Sequence, residues 1–174
     1  MPPSPRFDLP QFPESGWGDT RLVSSRHMTE PPSQTRPIRI HSLAEARTAC
    51  AAAAELKVPL LLVSAPGAAA YAGAGWFRAI ADRAAALHPE VTSMAVLDCA
   101  DRPGDILGAL SAGLATLLFT GRADVAARLA DIAAQSGARL LTDLPAPLDL
   151  RGVRDPLRAC REWLGGQGLI AVTE

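Results

Sequence analysis

Residues 58–101, VPLLLVSAPGAAAYAGAGWFRAIADRAAALHPEVTSMAVLDCAD, decide the fold of this chain. The apolar run at 60–63 has no polar alternation, which is typical of a parallel strand covered on both faces. A glycine-rich loop and an alanine-rich helix follow it, and the apolar run at 93–97 predicts a second strand that ends on Asp98. A strand, a helix and a strand in succession predict a right-handed crossover between parallel strands.

The same alternation continues on both sides of that stretch. Ser42 and Glu45 stand three positions apart ahead of an apolar helix, and this spacing predicts a capping box. Gly113 and Gly137 mark the ends of two later helices. The predicted strands are 37–40, 60–63, 93–97, 115–119, 138–141 and 169–172, and the predicted helices are 43–57, 75–87, 101–112, 122–136 and 156–164. Repeated β-α units of about 20–35 residues predict an α/β protein with a parallel sheet.

Two architectures accommodate this order of elements. One is a TIM-barrel-like fold, of which this chain would supply a half barrel, and the other is an open, doubly wound sheet of the flavodoxin-like kind. Both place functional residues at the carboxyl ends of the strands. The first polar residues after four apolar runs are Ser64, Asp98, Thr120 and Asp143. These side chains are the predicted rim of a ligand site, although each one alone also fits a turn or a helix cap.

Composition argues against several classes of protein. A net charge of −1 gives no electrostatic basis for binding nucleic acid or an anionic membrane. Cys50, Cys99 and Cys160 form no C-x-x-C pair, which argues against a disulfide framework or a zinc knuckle. The sequence contains no apolar run of about 18 residues and no secretory h-region, so we expect a cytoplasmic protein.

The chain divides by composition into a tail and one domain. Residues 1–36 are rich in proline, serine and charge without any period, so we expect a disordered tail. Residues 37–174 carry all of the β-α repeats and are predicted to form a single α/β domain.

Motifs within residues 40–145 follow one another as in a known family. They are Ser64-Ala65-Pro66-Gly67, Tyr71-Ala72-Gly73, Leu97-Asp98-Cys99-Ala100, Phe119-Thr120-Gly121 and Leu141-Thr142-Asp143-Leu144. In this order and spacing the chain resembles the class II, zinc-dependent fructose-bisphosphate and tagatose-bisphosphate aldolases. The resemblance implies a (β/α) barrel, of which this sequence covers the N-terminal half.

Roles for individual residues are implied by this resemblance. Asp98 corresponds to the aspartate that transfers a proton, and Ser64 corresponds to a serine at the substrate phosphate. Cys99 and Asp143 fall on two zinc ligands. The resemblance together with the loop chemistry gives a predicted substrate-binding set of Ser64, Gly67, Tyr71, Gly73, Thr120 and Gly121.

Departures from the family pattern lower the expectation of catalysis. A ligand histidine is replaced by Cys99 and a ligand glutamate by Asp143, while the later histidine ligands and phosphate loops have no counterpart. A catalytic zinc needs three protein ligands and an open position. We therefore expect a catalytically degenerate domain without a cofactor that binds a small phosphorylated metabolite or a partner protein. The alternatives are a dimeric, zinc-dependent lyase or isomerase acting on a sugar phosphate, and a non-enzymatic interaction module.

A half barrel would expose two sheet edges and one apolar face. The sheet can flatten and become doubly wound, or a second copy of the chain can pair with it in closed twofold symmetry. A different protein covering the open side is the third solution. We accordingly expect a homo-oligomer or a protein partner.

Overall fold

Alternating strands and helices account for most of residues 35–166, which are the residues that the computed structural model describes. The elements are β1 (Pro37–Ile40), α1 (Leu43–Leu56), β2 (Leu60–Ser64), α2 (Ala68–Tyr71), α3 (Ala74–Ala85), β3 (Ser93–Asp98), α4 (Pro103–Ser111), β4 (Thr116–Leu118), α5 (Ala123–Gln135), β5 (Arg139–Leu141), β6 (Leu148–Asp149) and α6 (Pro156–Gly165). The predicted α/β class with parallel β-α repeats is confirmed. None of the helices in this part of the chain is long and apolar enough to cross a membrane.

Two elements were not predicted from the sequence. The four-residue helix α2 lies in the stretch expected to be a glycine-rich loop, and the two-residue strand β6 lies where a proline-rich turn was expected. The predicted strand at 169–172 lies outside the described residues, as does nearly all of the predicted tail at 1–36.

All six strands of the described region form one parallel sheet in the order β5-β4-β3-β2-β1-β6. From β1 to β5 each new strand is added on the same side of the previous one. β6 reverses this direction and pairs with β1 through Ile38 with Leu148 and Arg39 with Asp149. In strand order alone, this reversal is compatible with the doubly wound alternative, in which helices cover both faces of the sheet.

The buried residues separate into two clusters on opposite faces of the sheet. The larger cluster contains buried residues from every described helix together with alternate strand residues such as Ile38, Leu62 and Leu97. The smaller cluster consists of Leu61, Val63, Val96 and Leu118, with Met94, Leu141 and Leu144 packed against it. It contains no residue of a described helix. The described helices therefore cover one face, and the other is called the helix-free face below.

The connection between β5 and β6 limits the shape of the sheet. These strands are at opposite edges, and only residues 142–147 join them. Six strands about 4.8 Å apart place the edges of a flat sheet about 24 Å from each other, and the registers set Leu148 about 10 Å behind Leu141 along the strands. The resulting distance of about 26 Å is at the limit of the reach of about 25 Å from Leu141 to Leu148, so a flat sheet would leave the connection fully extended, with no slack for Leu144 to contact the cluster. The sheet therefore curves around its helix-free face, where Leu144 of the connection packs.

Candidate functional site

Three of the predicted site residues meet at the carboxyl ends of β2 and β3. The Asp98 amide donates a hydrogen bond to Ser64 Oγ at 2.9 Å. Asp98 Oδ1 accepts hydrogen bonds from the Gly67 amide at 3.0 Å and from the Ala100 amide at 2.8 Å. Ser64 is fully buried and Asp98 is 6% exposed, so these bonds satisfy polar groups that water does not reach. We call this arrangement the Asp98 latch.

The Asp98 latch continues to β4 through Ala100 and Thr120. Ala100 has φ 50°, which is unusual for a residue with a Cβ. Its carbonyl accepts a hydrogen bond from the Thr120 amide at 2.8 Å. The backbone of Thr120 thus holds this residue beside the Asp98 latch. This is the position expected for a residue that follows β4.

Gly121 has a packing reason to be glycine. A Cβ placed there would lie 2.4 Å from the ring of Phe119, a distance that real side chains do not reach. Phe119 is buried in the helix-side cluster and fixes this position. A contact of Gly121 with substrate stays a prediction.

Helix α3 begins in the loop that follows the Asp98 latch. Its N-cap is Gly73, with φ 84° and no side-chain hydrogen bond, and its first turn has no acidic residue. Apart from its own neighbours in the chain, a Cβ placed at Gly73 or Gly75 meets no atom of residues 35–166 within 4 Å, so the start of α3 faces open space within the described structure. Tyr71 is 67% exposed and Trp76 is 41% exposed beside it in the sequence.

The two predicted zinc ligands lie in different environments. Cys99 is fully buried in the helix-side cluster, and burial, with a smaller contribution from the charges of Asp105 and Asp98, raises the pKa of its thiol to about 12. Asp143 is exposed on the connection after β5. Within residues 35–166 no group of three or more His, Cys, Asp or Glu side chains is arranged to hold a metal ion. Zinc binding by Cys99 and Asp143 therefore stays a prediction.

A second polar cluster, which the sequence pattern did not indicate, lies where β1 and β6 end. His41 follows β1, and its Nε2 lies 2.8 Å from Asp149 Oδ1. Asp149 Oδ1 also accepts a hydrogen bond from the Arg151 amide at 2.9 Å. Arg151 Nη2 lies 3.0 Å from His41 Nδ1. His41 and Asp149 are 108 positions apart, so no local spacing links them.

Further charges surround this His41–Asp149–Arg151 cluster. Arg39 Nη1 lies 3.6 Å from Asp149 Oδ2, and the Glu45 carboxylate accepts a hydrogen bond from the His41 amide. Partial burial raises the pKa of Asp149, but the hydrogen bonds from the Arg151 amide and His41 and the nearby charge of Arg39 lower it more. The pKa of Asp149 therefore lies below its ordinary value, and its carboxylate is ionised at neutral pH.

No protein-family model and no curated protein of known function matches this sequence.

Proposed function

We propose that this domain binds a small phosphorylated metabolite at the N-terminus of α3, on an aldolase-like scaffold, without catalysing carbon–carbon cleavage. The observation that carries the proposal is the start of α3, which has neither a side-chain cap nor an acidic residue in its first turn. Free amides and the positive end of the helix dipole favour an anion at such a position.

The other helices of eight or more residues in the described region start differently. Ser42 caps α1 and Asp155 caps α6 through side-chain hydrogen bonds. α4 and α5 lack such a cap, but they carry Asp105 and Asp124 in their first turns. Each of these four helices thus has a side chain that satisfies or compensates its N-terminus, whereas α3 has none. This difference singles out α3 as the place for an anion from outside the domain.

The surroundings of α3 suit a ligand that has an organic part as well as a phosphate. Tyr71 and Trp76 are large side chains left substantially exposed near the open start of the helix. Aromatic side chains of this kind give apolar contact area to a ligand while a few polar groups fix its orientation. The Asp98 latch holds Gly67 at the beginning of the same loop, which limits the movement of the binding segment.

The order of strands supports an aldolase-like scaffold. Successive strands of a (β/α) barrel are neighbours in the sheet, as β1 to β5 are here. Curvature of the sheet around its helix-free face is in keeping with a barrel-like sheet. Because the helix-free cluster receives Leu144 from the chain itself, a protein partner or a second copy would cover only what remains of that face.

Isothermal titration of the full chain with inorganic phosphate and with fructose 1,6-bisphosphate tests the proposal. Gly75→Asp places a carboxylate in the first turn of α3, where there is space for a side chain. We expect this variant to lose one bound ligand per chain, the one at α3, and to fold at least as stably as the wild type, since an acid near a helix N-terminus stabilises the helix by about 0.3–1 kcal/mol.

Gly75→Asn is the matched control, because it has the same shape without the charge. It is expected to retain binding within about threefold of the wild type, given the modest size of neutral polar effects on an exposed turn. Undiminished binding by Gly75→Asp, or no binding by the wild type, would overturn the proposal.

Native mass spectrometry of protein purified without chelator tests the alternative of a zinc-dependent lyase or isomerase. A dimer that carries zinc and loses it on Cys99→Ala would replace the proposal above. A metal-free species is the result that we expect.

A further inference from the structure

The hydrogen bonds of the His41–Asp149–Arg151 cluster define the state of the imidazole. A guanidinium group only donates hydrogen bonds, so His41 Nδ1 must accept from Arg151 Nη2 at their separation of 3.0 Å. The hydrogen of the neutral ring is then on Nε2, which donates to Asp149 Oδ1 at 2.8 Å. His41 is thus a neutral imidazole that is oriented by a carboxylate and has an acceptor nitrogen covered by an arginine.

The three side chains differ in how firmly they are held. The His41 side chain is only 15% exposed and is fixed from two directions, since its amide donates to Glu45 and its ring donates to Asp149. The Asp149 carboxylate receives the Arg151 amide in addition to His41 and faces Arg39. Arg151 is exposed, and His41 Nδ1 is the contact of its guanidinium in the described structure. The Arg151 guanidinium can therefore leave the cluster with the loss of fewer hydrogen bonds than either His41 or Asp149.

We propose that His41, Asp149 and Arg151 form a binding site for a small oxyanion that also carries a hydroxyl group. The oxyanion takes over the guanidinium of Arg151, which prefers a charged acceptor to a neutral imidazole nitrogen. His41 Nδ1 is then free to accept a hydrogen bond from the hydroxyl of the ligand. Asp149 keeps the ring in the orientation and tautomer that this exchange needs.

The position of the cluster suits a ligand site. His41 and Arg151 follow β1 and β6 at the carboxyl edge of a parallel sheet, where ligands of α/β proteins are bound. This site is built from other elements than the start of α3, so it goes beyond the proposed function and does not depend on it. A phosphate monoester that retains one proton and a 2-hydroxy acid share the required chemistry.

The matched anions phosphate and sulfate test the role of His41. Near pH 6.5 much of the phosphate carries a hydroxyl group, whereas sulfate carries none. Long-range 1H–15N spectra of the full chain report the tautomer of each histidine, and the His41→Gln variant assigns the His41 signals. We expect a neutral Nε2–H ring without ligand, and a saturable shift of the His41 Nδ1 resonance with phosphate that sulfate at equal concentration does not reproduce.

Glycolate and acetate form a second pair that separates a hydroxy acid from a phosphate. Both carry a carboxylate, but acetate has no hydroxyl group. A response to glycolate without a response to phosphate assigns the site to hydroxy acids, and the reverse assigns it to phosphates. Equal responses to phosphate and sulfate, together with equal responses to glycolate and acetate, would overturn the proposal.

Arginine variants test the role of Arg151. Arg151→Gln removes the charge but keeps the backbone amide that binds Asp149, and we expect at least about a tenfold loss of affinity for the active anion. Arg154→Gln removes a neighbouring exposed arginine and should leave affinity unchanged. Gly75→Asp, which removes the proposed site on α3, should also leave the His41 response intact. Loss of affinity in Arg154→Gln equal to that in Arg151→Gln would show a general charge effect and contradict the proposal.

Discussion

The two sides of the carboxyl edge satisfy their polar groups by different means. At β1 and β6, side chains far apart in the sequence bond to one another, as in the His41–Asp149 pair, and Asp149 accepts one backbone amide as well. At β2, β3 and β4, the side chains of Ser64 and Asp98 bond instead to backbone amides of neighbouring loops. The side chains of His41 and Asp149 are partly exposed, whereas Ser64 and Asp98 are buried.

This difference indicates which side of the carboxyl edge is rigid and which side can exchange its hydrogen-bond partners. A buried carboxylate that receives two amides cannot change partner without leaving those amides unsatisfied. An exposed arginine on a histidine can leave for a stronger acceptor, because water and ligands reach it. The Asp98 latch therefore fixes the edge of the sheet, and the His41–Asp149–Arg151 cluster is the side that can respond to a ligand.

The largest expected effect comes from breaking the Asp98 latch. Asp98→Ala removes the acceptor of two amides at a site that is almost fully buried, and we expect the free energy of unfolding to fall by about 2–4 kcal/mol. Asp149→Ala is the matched change on the other side of the edge, where the side chain is 43% exposed. Its cost should stay below about 1 kcal/mol. Urea denaturation of both variants measures the comparison, and similar losses would show that the two sides do not differ as described.

A smaller effect is expected from the helix starts. Ser42 accepts a hydrogen bond from the Glu45 amide at 3.2 Å, so Ser42→Ala should cost about 1 kcal/mol. Arg102 occupies the N-cap position of α4 without a side-chain cap bond, and its ion pair with Asp105 at 3.0 Å is largely exposed on the arginine side, so Arg102→Ala should change stability by less than about 0.5 kcal/mol. Thermal and urea unfolding of the two variants test this difference. A loss in Arg102→Ala as large as that in Ser42→Ala would mean that the ion pair of Arg102 with Asp105 stabilises the start of α4 as much as a cap does.

The contribution of Asp149 to stability should depend on pH. Its pKa in the folded protein lies below the ordinary value, so the folded state binds its proton less readily than the unfolded state does. The stabilisation is therefore present above the unfolded pKa of about 3.9 and is lost as the pH falls through the folded pKa. Stability measured from pH 7 down to pH 2.5 should show the wild type and Asp149→Asn converging at the acidic end. A difference that stays constant over this range would contradict the assignment.

The smallest expected effect concerns two residues in the left-handed region. Lys57 ends α1 with φ 55° and Ala100 follows β3 with φ 50°. Glycine adopts this conformation without strain, but it also loses more entropy on folding, so each change to glycine should raise the free energy of unfolding by only about 0.5 kcal/mol. A loss of stability in Ala100→Gly alone would show that packing of the Ala100 methyl group beside the Asp98 latch stabilises the fold.

Elements with a strong local signal were predicted closely. The run at 60–63 became β2 (Leu60–Ser64), and the capping box at Ser42 placed the start of α1 at Leu43. β6 was missed because two residues are too few to show any period, and its pairing with β1 depends on contacts far apart in the sequence. α2 was missed because the glycines on both sides of it favour a loop.

The sequence indicated where the polar residues of the site lie better than it indicated what those residues bond to. The rule that polar residues follow apolar strands selected Ser64 and Asp98, which the structure brings together. It did not indicate that their partners would be backbone amides, because the loops that supply those amides are set by tertiary packing. His41 was not selected as a site residue, since its partner Asp149 lies on the strand that was missed.

The pairing of β1 with β6 also has a consequence for the folding kinetics of the chain. Trp163 Nε1 donates to the Pro37 carbonyl across 126 positions of sequence, and Arg36 is stacked over the same indole ring. Closing so long a loop costs conformational entropy before any stabilising contact can form. The strands β1 to β5, in contrast, assemble through short crossovers. Docking of β6 and α6 should thus be a late step, with low φ-values for Trp163 and high ones for the β2–β3 pair. Unfolding would begin by the same route in reverse, with α6 leaving α1 first.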